Sequence, residues 1–350
     1  MIKKWLHLLI VGGLGIFIFL NACNGNDDAD DDGGITADTT QNVTPQIAAI
    51  DRQIASDPKN AELYFTRADI NVQQEHYSAA ISDLEKAIAI DPSKDYYHIK
   101  LSDIYLFETD RKLGIPDSRK AIDVLTKYLE NYPENAVAHF ELGATYTYVQ
   151  KYKESIEQVD QAIKLKPYYP EAYFLKGINY RHLGDTAKAV ANFQNVLELD
   201  AEHYEAHYEL GLIFASRGDR RAISYFNNAI KIDSSEVDPY YAKALFLQNR
   251  KNYTQAIEIY NKIITKDPQF EKAYYNLGFI YDDLDSLDKA SRYFDMAIKV
   301  APQYADAYYM KGWIFEQQGK KEDAAYYYRQ ALNMNSKHEL AQKGLERIKT

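Results

Sequence analysis

Proline recurs in this 350-residue chain with a rhythm that admits few folds. Pro58 and Pro92, Pro133 and Pro167, and Pro268 and Pro302 each lie 34 residues apart. From Pro167 to Pro268 the interval is 101, three periods less one residue; from Pro92 to Pro133 it is 41, one period plus seven. A fixed period of this length marks a stacked-repeat architecture, in which a single unit cannot bury its own apolar face.

Aligned on these prolines, the chain divides into eight units that begin at Ala61, Asp95, Ala136, Pro170, Tyr204, Val237, Glu271 and Ala305. The eighth position is always small: Ala68, Ser102, Gly143, Gly177, Gly211, Ala244, Gly278 and Gly312. A second small column runs from Ala80 through Ser155 to Ala324, and four residues later stands a large one that includes Leu84, Val159, Phe226, Phe294 and Tyr328. Apolar residues three and four apart give each helix one buried stripe, and the small columns let two helix backbones approach closely. Gly184-Asp185 and Gly218-Asp219 read as a helix stop and the next helix start, and Asp91-Pro92 and Asp267-Pro268 as the boundaries between units. Ala201, Ser234 and Ser336 replace the closing proline in three units. The seven extra residues fall within 106–120, around Gly114-Ile115-Pro116, where longer helix ends or a projecting loop are expected.

These columns resemble the tetratricopeptide repeat (TPR) family over residues 61–336, with EKAYYNLGFIYDDLDSLDKASRYFDMAIKVAPQ from Glu271 as a clear unit. The resemblance implies an all-α fold: a solenoid of eight helix-turn-helix units wound into a right-handed superhelix. Residues 44–60 should form a leading helix, and residues 337–350 a capping helix with Leu340 and Leu345 turned inward.

The first 23 residues read as an address. Lys3 and Lys4 precede 13 uninterrupted apolar residues from Leu8 to Leu20, too few to span a bilayer comfortably but suited to a signal-peptide core. Leu20-Asn21-Ala22-Cys23 then resembles the lipobox of bacterial lipoproteins, with Asn21 the unusual choice. The resemblance implies removal of residues 1–22 and acylation of Cys23, the single cysteine, leaving a chain lipid-anchored in the bacterial cell envelope, at the outer membrane and either periplasmic or surface-exposed. The alternative is an uncleaved anchor with a bystander cysteine. Residues 23–43 are acidic and poor in hydrophobics, a disordered tether. Asp27, Asp28, Asp30, Asp31 and Asp32 are similar to a surface-export signal; the alternative is a solvated spacer.

The formal net charge of −10 argues against nucleic acid as a partner. His203 and His207 form the closest histidine pair, but His207 stands in a fourth-position column with Tyr64, His98, His139, Tyr173, Tyr240, Tyr274 and Tyr308, so packing is its expected role. The sequence offers no phosphate-binding glycine loop, nucleophile motif or metal-ligand cluster. The chain is expected to bind, not to catalyse, with no catalytic, cofactor or metal site.

By the resemblance, the first helix of each unit lines a concave groove, with the second, fifth, ninth and twelfth positions facing it. The groove residues this implies are Ile178, Tyr208, Leu212, Tyr241, Leu245, Tyr275, Phe279, Tyr309 and Trp313, edged by polar residues including Gln248, Asp282 and Glu316. Such a strip suits a peptide or protein partner. For the fifth-position aromatics, packing between helices is the alternative. With 31 tyrosines in the chain, a glycan-binding surface lipoprotein is the other functional expectation.

Overall fold

The computed structural model describes residues 45–107 and 117–349, and among them every regular element is an α-helix. The signal peptide, Cys23, the acidic tether and Gly114-Ile115-Pro116 lie outside the described residues. The fold class is an all-α solenoid of helix pairs, and the chain forms two compact units, Met1–Gly184 and Asp185–Thr350.

The first unit holds α1 (Pro45–Ser56), then the pairs α2 (Ala61–Gln73) with α3 (Tyr77–Ile90), α4 (Asp95–Phe107) with α5 (Ser118–Asn131) and α6 (Ala136–Tyr148) with α7 (Tyr152–Leu165), then α8 (Pro170–His182). The second holds α9 (Thr186–Leu199), then α10 (Tyr204–Ser216) with α11 (Arg221–Ile232), α12 (Asp238–Asn249) with α13 (Tyr253–Lys266), α14 (Glu271–Asp283) with α15 (Leu287–Val300) and α16 (Ala305–Gln317) with α17 (Lys321–Met334), and last α18 (Glu339–Lys349).

The two helices of a pair do different work. The second is one-sided: α15 buries only Ala290, Phe294 and Ala297. The first is enclosed on several sides: α10 buries His207, Tyr208, Glu209, Leu210 and Ile213 among others. What joins them is the small column meeting the large one. A Cβ added at Gly278 would sit 2.7 Å from Phe294 Cε1, and one at Gly143 would sit 2.7 Å from Val159 Cγ2. Such distances leave no room for any side chain, so glycine here sets how closely the two backbones approach.

Among the described residues, the turn from a first helix to its second holds a left-handed residue. Gly184, Gly218 and Gly319 supply it at φ 77°, 67° and 73°. Glu75, Gln150, Lys251 and Asp285 hold the same place with φ between 53° and 61°, at about 1–2 kcal/mol each. Backbone bonds that close the turn, such as Lys151 N to Tyr146 O at 2.8 Å and Ser286 N to Tyr281 O at 2.8 Å, help offset this.

Between pairs, several turns rest on an aspartate one residue before the proline position, although Tyr132, Lys166 and Ala301 stand there in others. Asp91 Oδ1 accepts from Ser93 N, and Asp267 Oδ1 from Gln269 N. Where proline is replaced the same bond persists: Asp200 with Glu202 N, Asp233 with Ser235 N, and Asn335 with Lys337 N. The side-chain bond mimics a backbone turn, so the loss of proline leaves the connection intact. Asp185 caps α9 through Lys188 N, whereas Asp219 bonds to Arg221 N two residues on, where α11 begins one residue later after its glycine than α9 does.

Two polar clusters fasten the first unit. Arg67 grips Asp83 with two bonds, 2.8 and 2.6 Å, and reaches Asp51 on α1 at 2.6 Å. Thr147, Ser155 and Asn179 form a buried trio linking α6, α7 and α8 through bonds of 2.8 Å. At the other end of the chain the expectation for Leu340 fails: it is 52% exposed. α18 instead turns Ala341 and Gly344 inward, because only a glycine allows the helix to lie on the Tyr328 ring, 2.7 Å from where a Cβ would stand.

Gly278→Leu should lower stability by about 1–3 kcal/mol or more through overpacking against Phe294. Thermal unfolding checks this; a melting temperature equal to wild type would show that the small column does not set the helix approach.

Candidate functional site

The fourth-position column proves to be a clip. His98 Nε2, His139 Nε2 and His207 Nε2 lie 3.2, 3.0 and 3.0 Å from the carbonyls of Pro92, Pro133 and Ala201. Tyr64, Tyr274 and Tyr308 make the same contact with Pro58, Pro268 and Pro302 through their hydroxyls. Burial pushes the pKa of His98 and His207 down, which keeps the rings neutral. These histidines serve the inter-repeat turn.

Among the implied partner-binding residues, Ile178 belongs to the first unit, where it is buried; the other eight belong to the second. There the first helices lie side by side, α10 against α12 and α14 against α16. The fifth-position rings are largely engaged in packing. Tyr208, Tyr241, Tyr275 and Tyr309 face the second-helix rings Phe226, Tyr260, Phe294 and Tyr328 at centroid distances of 5.7–6.3 Å. Tyr241, Tyr275 and Tyr309 also meet Phe270, Tyr304 and His338, residues just ahead of the next first helix, at 5.1–5.3 Å. This leading aromatic position escaped the sequence reading. Its signal was there, in Tyr169, His203, Phe270, Tyr304 and His338 at or near the repeat period.

The ninth-position residues are the more open ones. Leu212, Leu245 and Trp313 are half-buried, and Phe279 is exposed at 38%. Beside them runs a polar ladder. Gln248, placed at the edge by sequence, is 7% exposed: it accepts from the Tyr260 hydroxyl at 2.7 Å and donates to Asn276 Oδ1 at 3.2 Å. Its amide is needed inside to satisfy the buried phenol, so it forms no rim. Asp282 Oδ1 accepts from Gln317 Nε2 at 2.8 Å, tying α14 to α16. Burial, with Asp283 and Asp285 adding to it, pushes the Asp282 carboxyl up from its ordinary value. Glu316 accepts two bonds from Arg347 of α18, at 2.5 and 2.8 Å, and these hold its carboxyl below the ordinary range. The Arg347 guanidinium lies 5.3 Å from the centroid of the Trp313 ring.

Sequence profiles described as tetratricopeptide repeat match residues 61–94, 174–219, 237–270 and 269–337. The chain carries tetratricopeptide repeats. It is similar to heat shock protein STI1 of Saccharomyces cerevisiae, 27% identical over 122 residues, covering 35% of this chain and 21% of that protein. It is also similar to mitochondrial import receptor subunit TOM70 of Homo sapiens, 22% identical over 202 residues, covering 57% of this chain and 33% of that protein. The chain thus spans a third or less of the length of these two relatives. Among solved structures, the C-terminal part of a TPR repeat-containing protein from Cytophaga hutchinsonii superposes with a TM-score of 0.59 at 16% identity, over 71% of this chain and 99% of that one. A tetratricopeptide repeat protein from Parabacteroides merdae gives 0.50 at 21% identity, over 73% and 98%. Both carry the same fold.

One buried acid in the first unit went unnoticed in the sequence. Glu141 of α6 is buried, and burial, with Asp103 nearby, pushes its carboxyl up to about 8. A carboxyl raised above its unfolded value of about 4.3 makes the fold lose stability as pH rises between the two values. Glu141→Gln should therefore match wild type near pH 4 and exceed it in melting temperature at pH 9. Parallel curves across that range would mean that Glu141 is solvated.

Proposed function

We propose that this chain is a protein-binding scaffold that holds a peptide or protein segment on the first-helix surface of its second unit. The observation that carries this reading is Phe279: a large ring 38% exposed, in line with half-buried Leu212, Leu245 and Trp313. Exposed aromatics set among apolar neighbours and a polar border have the anatomy of a binding hot spot. The likeness to a heat shock protein and to a mitochondrial import receptor subunit supports a binding role here. A peptide is favoured over a glycan because the fifth-position tyrosines have their rings engaged by neighbouring rings.

Partner capture from native envelope extract, with Phe279→Ser alongside wild type, tests the surface. The variant should keep its melting temperature and lose the captured partner; an unchanged set of partners would remove this surface from the reading.

The chain is further proposed to be a lipoprotein of the bacterial envelope, held by acyl groups on Cys23 and facing either the periplasm or the exterior from the outer membrane. The lipobox-like Leu20-Asn21-Ala22-Cys23 supports this. Cys23→Ser should move the chain out of the membrane fraction. If the variant stays with the membrane after a salt wash, the lipid is not what holds it.

A further inference from the structure

The last repeat displays how this surface holds a cation. Trp313, at the ninth position, offers its ring, and Glu316, three residues on, offers its carboxylate. Arg347 of α18 fills the place between them: its guanidinium lies 5.3 Å from the ring centroid and donates to both carboxylate oxygens. A planar guanidinium suits this seat, since it can stack on a ring while pairing with a carboxylate along its edge.

One repeat earlier the same pair recurs. Phe279 stands at the ninth position and Asp282 three residues on, each 34 residues before its counterpart. The ring is exposed, and no lysine or arginine among the described residues pairs with Asp282. Asp282 does not drift into solvent: Gln317 Nε2 fixes one of its oxygens at 2.8 Å. Its surroundings are acidic, with Asp283 and Asp285 beside it. A partly buried carboxylate next to an open ring, without a counter-charge, is complementary to a cation supplied from outside.

We propose that Phe279 and Asp282 form a seat for an arginine of the partner, whose guanidinium stacks on the ring and pairs with the carboxylate as Arg347 does with Trp313 and Glu316. The occupant is an extended peptide segment with apolar residues flanking that arginine, the apolar residues lying along Leu245 and Trp313. This rests on the peptide-binding reading above and adds the chemistry of what is bound.

The test uses the full chain and five-residue peptides, Ser-Leu-Xaa-Leu-Ser, blocked at both ends and fluorescently labelled. Xaa is arginine, lysine, citrulline or leucine, and binding is read by anisotropy. The arginine peptide should bind at least about tenfold tighter than the citrulline peptide, which keeps the shape and loses the charge. Lysine should fall between them. Asp282→Asn keeps an acceptor for Gln317 and removes the charge, so it should erase the difference between arginine and citrulline. Equal binding of the arginine and citrulline peptides to wild type overturns the proposal, as does an arginine preference that survives Asp282→Asn. If the peptides bind equally and Phe279→Ser abolishes all binding, the surface stands and only the arginine seat fails. If no peptide binds while partner capture still depends on Phe279, the seat again fails and the surface stands. If capture is also indifferent to Phe279, both readings fall.

Discussion

Everything in this architecture depends on how near two helices of a pair can come. At Gly143, Gly211, Gly278 and Gly312 the missing Cβ leaves a dent, and Val159, Phe226, Phe294 or Tyr328 fills it. Burial of that large side chain drives the pair together, and the dent fixes the separation at which it stops. The same large residue then meets the fifth-position ring of its own first helix, as Phe294 meets Tyr275. That ring in turn meets the residue leading the next first helix, as Tyr275 meets Tyr304. The spacing inside one pair is thus passed on to the next through a chain of rings.

Much of this was legible in the sequence, because packing at a fixed period writes itself as columns. The small and large columns, the left-handed turn at Gly184 and the packing role of His207 all follow from residue size and spacing. Other features are not periodic and so were not readable. Gln248 occupies an outward column, yet the phenol of Tyr260 twelve residues on draws it inside, a bond that Tyr328 also makes with Glu316 and that the other residues of the large column, lacking a hydroxyl, cannot make. Leu340 looks like the natural inward residue of α18, but the helix rotates to place Gly344 on Tyr328. Asn335 keeps the turn where the closing proline is missing, through a side-chain bond that the proline column alone does not signal.

The surface of the second unit follows from the division of labour between its columns. Fifth-position tyrosines are held between rings, so they give rigidity. Ninth-position residues have no such neighbour above them and stay partly open. The polar ladder beside them ties α12 to α14 through Gln248 and Asn276, α14 to α16 through Asp282 and Gln317, and α16 to α18 through Glu316 and Arg347; Arg347 lies over the Trp313 ring, while Phe279 stays open. A rigid floor with a few exposed apolar groups loses little conformational freedom on binding, which is how a modest patch can hold a partner.

The trio of Thr147, Ser155 and Asn179 gives the repeats an identity that their shared columns conceal. In the other repeats the place of Ser155 is taken by alanine, which needs no partner. A graft of another second helix into the position of α7 would fit by size and still strand the Asn179 amide nitrogen, which donates to Ser155 Oγ, in a dry seam. Modules that look exchangeable on paper are therefore keyed to their place, and the order in which they are strung along the chain is part of what the sequence encodes.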